Sequence, residues 1–147
     1  LALLAPDPYT RRAAHIFGIG FLSAMVLKNI IKTIDTDAGL RPKNEHFDRH
    51  KKTFGGFPSG HMIEATYLAT VLGLEYGLKV AIPLGLGAGV MFGLLVGCNR
   101  HYTSQVVAGV GVGLAYGVAT YKVIHHDDQR DFSIFGGPSR LGVSFKF

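Results

Sequence analysis

Hydrophobic and polar residues fall into long blocks along this chain. Val80 to Cys98 runs nineteen residues without a charge and Tyr102 to Tyr121 runs twenty, each about the length that crosses a hydrocarbon core of roughly 30 Å. A third block, Ala13 to Leu27, is fifteen residues broken only by His15. Arg11-Arg12 precede it, and Lys28 and Lys32 follow, where their ammonium groups can snorkel to an interface. This block predicts helix one. Helix two is predicted from near Ser59 to about Lys79, with Met62, Ala65, Leu68, Ala69 and Leu72 on one side; Pro83 permits the start of helix three, which runs to Cys98, and helix four follows. The rival arrangement, two buried helices in a soluble bundle, needs amphipathic helices to wrap them, and the chain offers few. The expected fold is therefore all-α, a membrane helical bundle of about four long helices.

Between helices one and two, Asp35 to Gly56 is polar and charged with Gly39, Pro42, Gly55 and Gly56 as breakers, a loop of the length that usually carries function. Glycine recurs at every fourth position in helix three (Gly85, Gly89, Gly93, Gly97) and in helix four (Gly109, Gly113, Gly117). Such ribbons let backbones approach closely, so helices three and four are expected to pack as a tight pair; the alternative is that glycine is simply common in membrane helices. After Lys122 the composition turns polar at His125-His126-Asp127-Asp128, and from Arg140 to Phe147 apolar residues alternate with polar or small ones, which is strand periodicity. One strand cannot close a barrel, so this segment is read as an extended C-terminal tail that docks on its own domain or on a partner. The expected division is a helical domain over 1–125, its N-terminal part missing, and a polar linker with the tail over 126–147.

The 147 residues carry a formal charge of +5, but the basic residues form no aromatic-interleaved ribbon, so nucleic acid is not an expected partner. The lone Cys98 excludes an internal disulfide and is expected to be a small buried hydrophobe at an apolar helix end. The His-His-Asp-Asp cluster has no closed ligand spacing, so a solvated juxtamembrane turn is expected there and no metal or other cofactor is expected.

Two polar islands interrupt the apolar blocks: Phe57-Pro58-Ser59-Gly60-His61 and, forty residues on, Asn99-Arg100-His101-Tyr102-Thr103-Ser104-Gln105. A Pro-Ser-Gly turn opening a helix aims backbone N–H groups and a hydroxyl at one spot where the helix dipole favours an anion. The plainer alternative is that Ser59 is an ordinary N-cap, with Glu64 too far on to complete a capping box. If the spans alternate, the end of helix one, the start of two, the end of three and the start of four share one side. That side gathers Lys28, Lys32, Arg41, Ser59, Gly60, His61, Arg100, His101 and Gln105 around one pocket.

These residues resemble the type 2 phosphatidic acid phosphatase (PAP2) superfamily, from about Lys28 to His125. Pro58-Ser59-Gly60-His61 matches its second motif in full, and Lys32 or Lys28 with Arg41-Pro42 approximates the first, at a longer spacing. Arg100-His101-Tyr102-Thr103-Ser104-Gln105-Val106-Val107-Ala108-Gly109 is similar to the end of the third, with Gln105 where the family has Asp and Leu95, six residues before His101, where it has Arg. The resemblance implies that His101 is the nucleophile, that His61 is the general acid, and that Lys28 or Lys32, Arg41, Ser59 and the Gly60 N–H hold the phosphoryl oxygens, without a metal; Arg100 can lean in.

It also implies a membrane phosphatase acting on a lipid phosphate or diphosphate through a phosphohistidine. The alternative is a degenerate relative, a pseudoenzyme serving as a structural or accessory subunit of a membrane complex. A vanadium haloperoxidase shares the pocket, but nothing in the chain favours halide chemistry. Gln105 accepts a hydrogen bond without supplying charge, and neutralising the orienting acid of a serine protease costs about 10⁴ in rate; the absent Arg removes a bidentate clamp. The expected partners are membrane lipids, a lipid phosphate substrate, and membrane proteins held through the tail and the glycine-rich helix faces. Eight of the fifteen Lys and Arg residues lie on the pocket side and double as phosphate ligands, so the positive-inside rule gives no orientation. The resemblance implies a multi-pass protein of a bacterial inner membrane with an extracytoplasmic pocket.

Overall fold

The computed structural model describes residues 7–34, 40–42, 55–126, 132–137 and 140–145. Four helices precede a hairpin: α1 (Pro8–Ile34), α2 (Gly60–Tyr76), α3 (Leu78–Gly97), α4 (Thr103–His126), β1 (Phe132–Gly137) and β2 (Arg140–Phe145).

Helix α1 begins five residues before the apolar block. Asp7 is the reason: its Oδ2 accepts the Thr10 N–H at 2.7 Å, its carbonyl accepts the Arg11 N–H at 3.2 Å, and Pro8 occupies the first helical position, where a missing N–H costs nothing. At 27 residues, α1 is about 40 Å long. It overshoots the hydrocarbon core and carries Lys28 and Lys32 in its last two turns to the polar side.

Helix α2 stops at Tyr76, short of Lys79. Gly77 sits at φ 76°, a left-handed conformation that glycine adopts without strain, and α3 starts at once at Leu78. Pro83 therefore lies inside α3 rather than opening it. The reversal folds α3 back along α2 so closely that a Cβ on Gly73 would stand 2.9 Å from that of Ala81.

The glycine ribbons do not bring α3 and α4 together. The tight pair is α2 with α4, then α2 with α3, while α3 and α4 barely meet. A Cβ on Gly109 would reach Ser59 O at 2.6 Å and Met62 Cβ at 2.9 Å, and one on Gly117 would reach Thr70 Cβ at 2.7 Å. Gly113 meets Thr66 and the Ile63 carbonyl in the same way. By contrast, Gly85, Gly89, Gly93 and Gly97 face open space. The period in α3 marks an unpacked edge, where Gly85 and Gly89 line an open groove opposite Met62 and Thr66 of α2 and Val110 and Leu114 of α4. Sequence spacing alone does not distinguish it from a packed face, and Cys98 at the end of the same helix is exposed rather than buried.

Helix α2 is the hub. Tyr67, fully buried, donates its hydroxyl to the Phe17 carbonyl at 2.7 Å and lies 3.2 Å from Thr120 Oγ1, while its ring meets Phe17 and Phe21. One side chain thus joins α1, α2 and α4. At the far end, His125 Nε2 is 3.4 Å from Glu75 Oε2, tying α4 to α2.

Large apolar side chains cover the outside: Leu78, Ile82, Leu86, Val90 and Leu94 along α3, and Ile19, Leu22, Val26 and Ile30 along α1, are all exposed. In water such patches mark an interaction surface. Here they lie on helices with the properties of spans: α1, α3 and α4 are each long and apolar enough to cross a membrane. Helix α2, with 17 residues, is the short central element that they surround. The chain is an all-α membrane bundle at its core.

The strand periodicity of the tail is realised as β2, and it has a partner that the reading of a single extended segment missed. β1 pairs antiparallel with β2, Phe132 opposite Phe145 and Gly137 opposite Arg140. Most of the loop from Asp35 to Gly56, and Asp127 and Asp128 of the polar cluster, lie outside the described residues.

Candidate active site

The site is built on how three chain segments end. Helix α3 closes with Asn99 at φ 51°, and the Arg100 N–H reaches back to Leu95 O and the Asn99 N–H to Val96 O, both at 3.0 Å. This is a Schellman closure with asparagine in place of the usual glycine. The His101 N–H bonds the same Leu95 carbonyl at 3.0 Å, so the turn sets down His101 just before α4.

Helix α4 then opens with Tyr102 at its N-cap. Gln105, three residues on, returns its Oε1 to the Tyr102 N–H at 3.2 Å, one half of a capping box. The same Oε1 lies 3.1 Å from His101 Nδ1. Gln105 Nε2 donates to Leu40 O at 2.6 Å, and Gln105 O accepts the Ser59 N–H at 3.0 Å. Residue 105 therefore joins the segments carrying Arg41, Ser59 and His101, as the shared-side reading expects.

Ser59 is the N-cap residue of α2 but makes no side-chain cap bond. The residue is fully buried, and its Oγ has no hydrogen-bond partner among the described residues; neither has the buried Nε of Arg41. A buried polar atom without a partner is uncommon and calls for an explanation. At a helix N-terminus, between basic side chains, an anion supplies one. The ordinary capping reading of Ser59 therefore does not hold.

The basic residues follow. Gly60 lies close under Lys28: a Cβ there would be 3.2 Å from Lys28 Cδ and 3.5 Å from its Nζ. Gly55 lies against Lys32, and Gly56 against both Arg41 Cγ, at 3.0 Å from an added Cβ, and the Gln105 amide, at 2.7 and 2.8 Å. Gly56 is needed for that approach, which the sequence announced only as a breaker.

His101 is buried at 4% exposure. Burial holds its pKa below the ordinary imidazole value of 6.5; the Gln105 bond and the Gly56 backbone oppose this, and Arg41 and Lys32 add to it by charge. His61 is exposed on the first turn of α2, and Arg100 is exposed beside His101. Leu95, where the resemblance expects an arginine, packs against Met62, Ala88 and Val106 and contributes only its carbonyl. Among the described residues no cluster of His, Cys, Asp and Glu could hold a metal ion.

The family model of the PAP2 superfamily matches residues 13–128. The chain belongs to the PAP2 superfamily. It is thereby a phosphatase-type membrane protein, with three helices fit to span the bilayer. No curated protein and no solved structure matches it. The matched segment takes in α1 from its sixth residue, the other three helices and both polar islands, so the candidate site lies wholly within it.

Proposed function

We propose that this chain is a membrane phosphatase that removes phosphate from a lipid phosphate or diphosphate through a covalent phosphohistidine at His101. The observation that carries the reading is the pair of buried donors without a partner among the described residues, Ser59 Oγ and Arg41 Nε, on the segments tied to the desolvated His101. Three equatorial oxygens of a transferring phosphoryl group need fixed donors and cations. Ser59, the Gly60 N–H, Arg41 and Lys28 or Lys32 supply them.

In the first step His101 Nε2 bonds to phosphorus as the bond to the leaving oxygen breaks, and His61 gives that oxygen its proton. In the second, water attacks phosphorus with His61 as base, and phosphate leaves with His101 restored. A buried nucleophile kept neutral and an exposed acid suit these roles. The exposed apolar helix faces suit a substrate that stays in the bilayer, and the pocket is assigned to the extracytoplasmic side of a bacterial inner membrane. The protein partners proposed for the C-terminal hairpin and the open glycine face of α3 belong to the same reading.

A second reading, an accessory subunit without chemistry, is favoured by Leu95, whose side chain packs in an apolar cluster at the position where the resemblance expects a phosphate-clamping arginine. Phosphate release from phosphatidic acid and from a polyprenyl diphosphate by purified protein separates the two. Wild type is expected to exceed His101→Ala by at least about 10³-fold, the scale of losing a nucleophile. Equal background in both supports the accessory subunit.

A further inference from the structure

Gln105 stands where the superfamily resemblance expects an aspartate, yet its surroundings are those of an amide. A carbonyl can only accept a hydrogen bond, so the atom 2.6 Å from Leu40 O is the NH₂ of the amide; a backbone N–H can only donate, so the atom 3.2 Å from Tyr102 N is its oxygen. These two neighbours fix the amide's orientation, which side-chain shape alone would not. The oxygen so placed is 3.1 Å from His101 Nδ1. Two acceptors cannot share a bond, so His101 Nδ1 carries the proton and Nε2 is the basic nitrogen.

We propose that Gln105 is a positioning residue: its amide locks His101 in the Nδ1–H tautomer and clips the Leu40–Arg41 segment beside it, two tasks that no carboxylate performs together. The proposal rests on the phosphatase reading only for its catalytic meaning. A carboxylate at 105 would still hold His101, but it would set lone pairs against the Leu40 carbonyl and free the segment that carries Arg41. It would also favour imidazolium over imidazole. Among the described residues, the charged groups that face His101 are Arg41 and Lys32, both cations, and the Gly56 backbone also favours the protonated ring. Gly56 fits the clip, since any side chain there would meet the amide. This chain is thus built around a neutral ring with a neutral clamp, and the aspartate of its relatives is not a repair for it.

The test uses the full chain in detergent micelles with ¹⁵N-labelled histidine, and His101→Ala assigns the resonance. The expected wild-type signal, recorded well above pH 6.5 where the ring is neutral, is protonated Nδ1 and bare Nε2. In Gln105→Leu the ring is expected to move to the Nε2–H form, and in Gln105→Glu its protonation midpoint is expected to rise by about one pH unit or more. A wild-type ring protonated on Nε2, or a tautomer unchanged in Gln105→Leu, overturns the proposal; the wild-type reading needs no Gln105 variant to fold.

Binding of orthovanadate, an inorganic phosphate mimic, tests the clip. It is expected to weaken about tenfold in Gln105→Glu, and equal affinity overturns the clip. Failure of the wild type to bind orthovanadate overturns the phosphatase reading instead, and the tautomer result then decides the proposal by itself.

Discussion

At the residue scale the informative atoms are buried polar ones. Ser59 has the sequence of a helix cap but not its bond, and this makes a clean prediction. Loss of a working cap costs about 1 kcal/mol, whereas Ser59→Ala here is expected to leave the thermal midpoint unchanged or slightly raised, because no bond is lost and an unpartnered hydroxyl is removed. Phosphate release should fall about tenfold or more, as for a lost transition-state donor.

A second residue-scale prediction concerns pH. The His101 pKa lies below 6.5, so its neutral form persists below that pH. The acid-side fall in kcat/KM that belongs to the nucleophile should therefore come below pH 6.5, read from a pH–rate profile; a fall centred above it would mean that burial does not control the ring. Gly56→Ala is expected to abolish release, since its methyl group would meet the Gln105 amide.

At the element scale, the helices were readable from blocks of apolar sequence, because length and charge-free composition decide a span before any packing does. Their ends were less so. Asp7-Pro8 is a cap signal that the longer apolar block overshadowed, and Gly77 rather than Pro83 divides α2 from α3 because a positive φ was needed there. The glycine ribbons show the limit of periodicity. Both have the same spacing, but only that of α4 is packed, since which face meets a neighbour is a property of the fold. Gly113→Val is accordingly expected to destabilise the bundle by about 1–3 kcal/mol through overpacking against Thr66. Gly89→Val should leave the melting temperature nearly unchanged, and equal effects of the two would contradict the observed pairing.

At the scale of the whole molecule, a short central helix fixes three long ones and lets their ends meet. Tyr67 secures the middle of the bundle, His125 and Glu75 close one end, and Gln105 closes the other. Which residues come together at that end was readable from the alternation of spans and from the intact Pro58-Ser59-Gly60-His61. The Leu40 contact of Gln105 was not, because it is a long-range bond to a backbone carbonyl and leaves no mark on side-chain identity. Leu95 is similar: its apolar side chain fits the cluster of Met62, Ala88 and Val106, so Leu95→Arg is expected to lower the melting temperature without raising the rate.

The proposed chemistry turns on His101 taking up the phosphoryl group. Mass spectrometry of protein mixed with a lipid phosphate or diphosphate and quenched in alkali tests it directly, because phosphohistidine survives base. One phosphoryl group is expected on His101, lost in His101→Ala and accumulating in His61→Ala if the second step slows more than the first. Phosphate release with no label on His101, or with the label on His61, would contradict it.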